Sequence, residues 1–164
     1  MDGSAKRREE SGEAVRDLRL VLEDLELLWE REVNVDSSVV VSPSQLRVLY
    51  VLERAPGMNL RELGEAIGSA SSPLSRLCAR LEAMGFVRRL PSAQSGREIE
   101  LHLTAHAKSY LAELRERRER ALAQVLESVP PARFKPLVEG VRALRLTLTA
   151  GSPAPDGGWG MRSA

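Results

Sequence analysis

Apolar residues recur at helical spacing near both ends of the chain. The intervals alternate between three and four residues in two stripes, which are Val15, Leu18, Leu22, Leu25 and Trp29, and Phe134, Leu137, Val141, Leu144 and Leu148. Such a narrow stripe is typical of a helix that packs lengthwise against another helix. A third apolar face predicts a helix that begins after Thr104 and ends before Pro130-Pro131; it consists of Tyr110, Leu111, Leu114, Ala121, Leu122, Val125 and Leu126.

The middle of the chain carries two helix starts that can be read from capping residues. Ser42-Pro43-Ser44-Gln45 is a capping box with proline at the first helical position, and Pro56-Gly57 closes that helix. Asn59 can cap the next helix together with Glu62, and Gly68 supplies the positive φ that ends it. The sequence therefore predicts a helix that begins at Pro43 and ends before Pro56, and a short helix after Asn59.

A further helix, predicted over 72–84, has two different faces. Ser72 followed by Pro73 favours a start there, because proline at the first helical position lacks an N–H that would be unpaired anyway. One face is an apolar stripe that consists of Leu74, Leu77, Cys78, Leu81 and Met84. The opposite face is polar and basic and carries Ser75, Arg76, Ala79 and Arg80. Serines and helix N–H groups suit phosphates, and guanidinium groups suit guanine edges. The pattern predicts a recognition helix for the major groove of DNA.

After Gly85 the period of the apolar residues changes from that of a helix to two. Two strands are predicted, over 86–90 and 98–103. In the second strand Ile99, Leu101 and Leu103 are expected to point inward, and Glu98, Glu100 and His102 outward. The polar loop 91–97 would place Arg97 at the tip of the hairpin. A basic hairpin beside a recognition helix is a wing.

With these elements in order, the sequence resembles the winged helix-turn-helix core of the multiple-antibiotic-resistance regulator (MarR) family. The motifs that carry the resemblance are Leu-Ser-Arg-Leu at 74–77, Glu-Ala-Met-Gly-Phe-Val-Arg-Arg at 82–89, Arg97 and Leu103-Thr104. It extends from about Val15 to Thr149. One position departs from the family pattern, because Ser95 stands where an aspartate usually steadies the wing arginine.

The expected fold is mainly α with a small β-hairpin wing, in which helices at both ends of the chain serve dimerisation. The resemblance and the stripes together predict five segments: a disordered N-terminus (1–10), an N-terminal dimerisation helix (11–35), a winged helix-turn-helix DNA-binding lobe (42–103), C-terminal dimerisation helices (104–149) and a disordered tail (150–164). A homodimer would place two recognition helices roughly 34 Å apart on a palindromic site.

Charge is distributed in a way that agrees with DNA binding, although the net charge of the 164-residue chain is only +1. Residues 1–36 carry 6 basic and 11 acidic side chains, whereas residues 71–97 carry 5 arginines and a single acid, Glu82. Positive charge therefore concentrates where a nucleic acid would be met. The residues predicted to contact DNA are Ser71, Ser72, Pro73, Ser75, Arg76, Arg80, Arg89 and Arg97. For Arg89, as for Arg88, the alternative is a residue that merely flanks the strand.

The sequence gives little support for an enzymatic, redox-sensing or metal-binding function. No P-loop, dinucleotide-binding turn or nucleophile elbow is present, so we expect neither an enzyme nor a cofactor. Cys78 is interpreted as a small core residue rather than a redox sensor, and the single cysteine fits a reducing compartment. His102 and His106 are four residues apart, but Thr104 begins a helix between them, so a metal site is not expected. No long apolar run or leader pattern is visible, which favours a cytoplasmic protein without membrane contact.

The sequence thus predicts a dimeric transcription regulator that binds double-stranded DNA. A repressor is preferred over an activator, because covering a promoter requires only binding. The resemblance further implies a small aromatic or phenolic effector, for which Trp29 and Tyr50 are candidate pocket residues, although either residue also suits a core. A winged-helix module that binds proteins instead of DNA remains the alternative.

Overall fold

The computed structural model describes residues 3–36, 41–92 and 98–150. It contains six helices and one hairpin: α1 (Gly3–Asp36), α2 (Pro43–Arg54), α3 (Leu60–Ile67), α4 (Ser71–Ala83), β1 (Val87–Pro91), β2 (Ile99–Leu103), α5 (Ala105–Glu127) and α6 (Pro131–Ala150). This architecture confirms the predicted fold class, mainly α with a small hairpin. Of the predicted tail (150–164), Ala150 is the last residue of α6, and the rest lies outside the described residues.

The chain divides into two compact units, and α5 contributes to both. One unit consists of α1 and the part of α5 from Glu116 to Glu127. The other contains α2, α3, α4, the hairpin, the beginning of α5 and α6. The second unit holds most of the buried apolar side chains. They come from α2, α3, α4, the hairpin and the beginning of α5: Val48, Leu49, Leu52, Leu63, Leu74, Cys78, Leu81, Phe86, Val87, Leu101, Leu103, Ala107, Leu111 and Leu114.

Local capping accounts for where the helices of this unit begin. The backbone N–H of Ser42 donates to Gln45 Oε1 at 2.8 Å, and the N–H of Gln45 donates to Ser42 Oγ at 3.3 Å, as expected of a capping box. Thr104 Oγ1 accepts from the N–H of Ala107 at 3.1 Å and so caps α5. These starts agree with the predictions from the sequence.

β1 and β2 pair antiparallel, with Val87 opposite Leu103 and Pro91 opposite Ile99. On the other side of β2, Met58 forms an isolated antiparallel bridge with Leu101, whose N–H donates to the Met58 carbonyl at 2.8 Å. β2 is therefore held on both sides. These two pairings fix where the hairpin leaves the unit.

Several boundaries and the orientation of one side chain differ from the predictions. α1 begins at Gly3 instead of after residue 10, because the alanine, lysine, arginine and glutamate residues that follow favour helix. It also continues to Asp36, one residue beyond the predicted end at residue 35. The strands begin one residue later than predicted. Ile99 is 46% exposed instead of inward, because it lies at the loop end of the hairpin, beyond the core.

A further difference concerns the start of α4. The helix begins at Ser71, with Ala70 as its N-cap, so that Pro73 is its third residue and not its first. Proline is tolerated there because none of the first four N–H groups of a helix has an intrahelical partner. The recognition helix is therefore slightly longer at the end that carries the serines.

Candidate nucleic-acid interface

The turn between α3 and α4 is built from the residues that the sequence singled out. The N–H of Glu62 donates to Asn59 Oδ1 at 2.9 Å, and the N–H of Asn59 donates to Glu62 Oε2 at 2.9 Å. Gly68 ends α3 in the left-handed conformation, with φ of +69°. The N–H of Ser69 then donates to the Gly64 carbonyl at 3.0 Å. This sharp reversal sets the direction in which α4 leaves.

α4 is fixed by one face and presents the other to solvent. Leu74, Cys78 and Leu81 are buried, with exposures of 2% or less, which holds the helix against the rest of its unit. Arg76 and Arg80 are exposed on the opposite side. The two guanidinium groups are one helical turn apart, so both can reach into the same groove of a duplex.

The N-terminal turn of α4 offers further polar groups. Ser71, Ser72 and Pro73 are exposed, whereas Ser75 is only partly so. Ala70 makes no side-chain cap, so the N–H groups of the first turn are not satisfied by a side chain there. Exposed N–H groups at a helix N-terminus, together with the helix dipole, favour a phosphate. Arg76 Nη2 also lies 3.5 Å from Ser72 Oγ, along the same edge.

The two arginines of β1, Arg88 and Arg89, lie on opposite faces of the hairpin. Arg88 is exposed and stands opposite His102 in the ladder. Arg89 stands opposite the buried Leu101, and its Nε donates to Glu82 Oε2 at 3.0 Å. The predicted wing-tip residue Arg97, with the rest of 93–97, lies outside the described residues.

Cys78 behaves as a core residue in this site. It is fully buried, and burial raises the pKa of its thiol, an effect that the nearby Arg89 opposes and Glu82 reinforces. A raised pKa keeps the thiol protonated and unreactive near neutral pH.

The two histidines contact different residues. His102 Nε2 is 2.9 Å from Glu100 Oε2, whereas the His106 ring packs against Phe86 with 4.7 Å between ring centroids. Within the described parts of the chain, no group of three or more His, Cys, Asp or Glu residues is arranged to hold a metal.

The aromatic residues named for an effector pocket each lie beneath an arginine. In the unit that contains α2, the guanidinium carbon of Arg115 is 5.8 Å from the centroid of the Tyr50 ring, and Arg115 also pairs with Glu53. In the unit that contains α1, the guanidinium carbon of Arg118 is 4.6 Å from the centroid of the Trp29 ring. Both are cation–π arrangements.

Two contacts of this site were not predicted from the sequence. The first is the Glu82–Arg89 pair between α4 and β1. The second is the Thr104 hydroxyl, which donates to the Gly85 carbonyl at 2.6 Å and so joins the start of α5 to the end of α4. Both contacts join different secondary-structure elements, so the periodicity of a helix or strand could not predict them.

Comparison with known proteins agrees with this geometry. The sequence model of the MarR family matches residues 41–99. The HTH-type transcriptional regulator YfiV of Bacillus subtilis (strain 168), itself uncharacterized, is 30% identical over 108 residues, which are 66% of this chain and 68% of that protein.

Solved structures share the fold along most of the chain. A MarR family protein from Bacillus stearothermophilus superposes with a TM-score of 0.70 at 22% identity and covers 87% of this chain and 97% of its own. A mutant of S. aureus MepR, bound to an oligodeoxyribonucleotide, gives a TM-score of 0.64 at 12% identity over 82% of this chain and 97% of its own. None of the described helices is long and apolar enough to cross a membrane.

Proposed function

The chain belongs to the MarR family of transcription regulators, and from this premise we propose that it acts as a homodimeric repressor that binds a palindromic operator. Members of the family bind DNA and regulate transcription rather than catalyse a reaction. The observation that carries the proposal is the exposed arginine face of α4 opposite its buried stripe.

α4 enters the major groove in this proposal. Arg76 and Arg80 contact base edges, and the serines and N–H groups of the first turn contact phosphates. A guanidinium that binds a guanine edge in bidentate fashion discriminates against other bases by about 1–3 kcal/mol. Arg97 would reach the neighbouring minor groove from the wing.

Exposed apolar stripes support dimerisation. α6 contains no buried residue, and its stripe is exposed along its whole length. α1 has a similar stripe, in which Val15 is 63% exposed. A monomer rarely leaves apolar surface of this extent in contact with water. We assign the helices within 11–35 and 104–149 to a shared dimer scaffold and residues 42–103 to the DNA-binding lobe.

We propose repression rather than activation because repression requires only that the dimer binds DNA. A dimer bound across a promoter excludes polymerase by occupancy alone, whereas activation needs an additional contact with the transcription machinery.

A small aromatic or phenolic effector fits the two arginine–aromatic pairs. Tyr50 beneath Arg115 and Trp29 beneath Arg118 each combine a π-surface with a cation. An anionic ring would pair with the guanidinium and pack beside the aromatic residue, and at Arg115 it would displace the carboxylate of Glu53. Binding of this kind would release the operator if it changed the spacing of the two recognition helices.

The test is fluorescence anisotropy of a labelled duplex taken from upstream of the gene for this protein. The wild type is compared with R76A/R80A and with R8A/R16A, which removes two exposed arginines from α1. We expect R76A/R80A to lose specific binding and the control to retain it. Equal binding by R76A/R80A and wild type would refute the proposed interface.

A salt titration distinguishes the DNA regulator from a protein-binding module. Several phosphate contacts predict that affinity falls about 10³-fold or more between ~50 and ~200 mM salt. A flat response would favour the protein-binding module.

Light scattering in the same buffers tests the proposed homodimer and should give about twice the 18.1 kDa of one chain.

A further inference from the structure

Glu82 and Arg89 join the recognition helix to the wing. Glu82 lies in the last turn of α4, and Arg89 lies in the middle of β1. Arg89 Nε donates to Glu82 Oε2 at 3.0 Å, and the two side chains are 38% and 44% exposed, respectively. The pair therefore lies at the surface, at the edge shared by the two elements proposed to meet DNA.

The ladder constrains Arg89 further. Its cross-strand neighbour is Leu101, which is buried, so Arg89 begins on the face of the hairpin that turns toward the core. At the end of α4, Glu82 accepts the Nε–H of the Arg89 guanidinium. A guanidinium has five N–H donors, and this bond uses one of them. The same group can therefore bind Glu82 and a second anion together.

We propose that Glu82 is a positioning residue for DNA binding: its carboxylate orients the Arg89 guanidinium so that the remaining N–H groups meet an operator phosphate beside the groove that α4 occupies. This inference rests on the proposed function. It also assigns to the middle of β1 a support that does not depend on residue 95, where serine replaces the usual aspartate.

Two physical effects of Glu82 oppose each other, and their signs make the proposal testable. A carboxylate close to DNA repels phosphates, so its removal alone should tighten binding at low salt. If the carboxylate orients Arg89, its removal should weaken binding, because the arginine then loses its fixed geometry. Only the second effect requires Arg89 to be present.

The experiment is a double-mutant cycle of operator affinity with the full chain, using E82A, R89A and E82A/R89A. We expect E82A and R89A each to weaken binding by roughly 3- to 10-fold, and the double variant to bind no more weakly than R89A alone. The salt slope should fall by about 1 in both single variants, since one phosphate contact is lost. E82Q should recover most of the affinity, because the amide oxygen still accepts the Nε–H.

The control is E65A, which breaks the Arg61–Glu65 pair of α3, also 3.0 Å long, and removes the same charge. It should leave the salt slope unchanged. Because the slope does not depend on the fraction of active protein, it remains informative if a variant is less stable.

Tighter or unchanged binding by E82A, or additive losses in the double variant, would overturn the positioning role. Absence of DNA binding by the wild type would instead refute the proposed function.

Discussion

The Thr104 hydroxyl makes two hydrogen bonds at the junction of the recognition helix, the hairpin and α5. It donates to the Gly85 carbonyl at 2.6 Å and accepts from the N–H of Ala107 at 3.1 Å. T104V keeps the shape of the side chain and removes both bonds. Loss of a helix cap costs about 1 kcal/mol, and loss of the second bond costs up to about 1 kcal/mol, less where water replaces it.

We therefore expect T104V to lower the free energy of unfolding by about 1–2 kcal/mol, which corresponds to a fall in Tm of roughly 3–6 °C for a chain of this size. Urea and thermal unfolding followed by circular dichroism, at one fixed protein concentration, measure the change. T104S keeps the hydroxyl and should stay close to wild type. T147V removes a hydroxyl that only bonds the Ala143 carbonyl within α6, so it should change little. A loss below about 0.5 kcal/mol in T104V would show that this junction is not stabilised as we argue.

Three further predictions concern other parts of the same unit. Cys78 should react with iodoacetamide slowly in the native protein and rapidly in urea, and rapid native labelling, followed by mass spectrometry, would contradict its burial. G68A should lower stability by about 1–2 kcal/mol in thermal melts, because no atom crowds the new Cβ and the cost comes from φ of +69° alone; an unchanged Tm would refute this. Hydrogen bonds from Ser92 and then His102 lower the pKa of Glu100, so their stabilisation is present above the ordinary carboxyl pKa and is lost as pH falls through the lowered value. E100Q should therefore make stability less dependent on pH between about pH 5 and pH 2, and parallel curves for both proteins would exclude this contribution.

The helices could be predicted from the sequence because their signals are local. The Ser42–Gln45 and Asn59–Glu62 capping boxes depend on residues three apart, and the structure contains both. The buried stripe of α4 follows from helical periodicity in the same way. Such signals do not need knowledge of the tertiary fold.

Signals that depend on tertiary position were less reliable. Alternation in β2 correctly placed Leu101 and Leu103 inward, but it could not show that the core ends before Ile99. The Glu82–Arg89 pair was also missed, because it exists only once the hairpin folds back beside α4. Arg89 was predicted to contact DNA, and nothing in the sequence indicated that it also binds a carboxylate.

Periodicity also identifies a stripe without identifying what covers it. The stripe of α6 has the same spacing as a buried helix face, yet Leu144 and Leu148 are exposed. Its pairing with a second chain is a proposal that rests on this exposure. The DNA contacts at α4 likewise remain predictions from residue chemistry and position.

Methylation interference on the operator duplex tests the central claim most directly, because methyl groups at guanine N7 project into the major groove. If two α4 helices of one dimer occupy successive major grooves, interfering guanines should form two clusters centred about 10 base pairs apart. Binding that is unaffected by guanine methylation, or that is blocked at a single cluster only, would contradict the account.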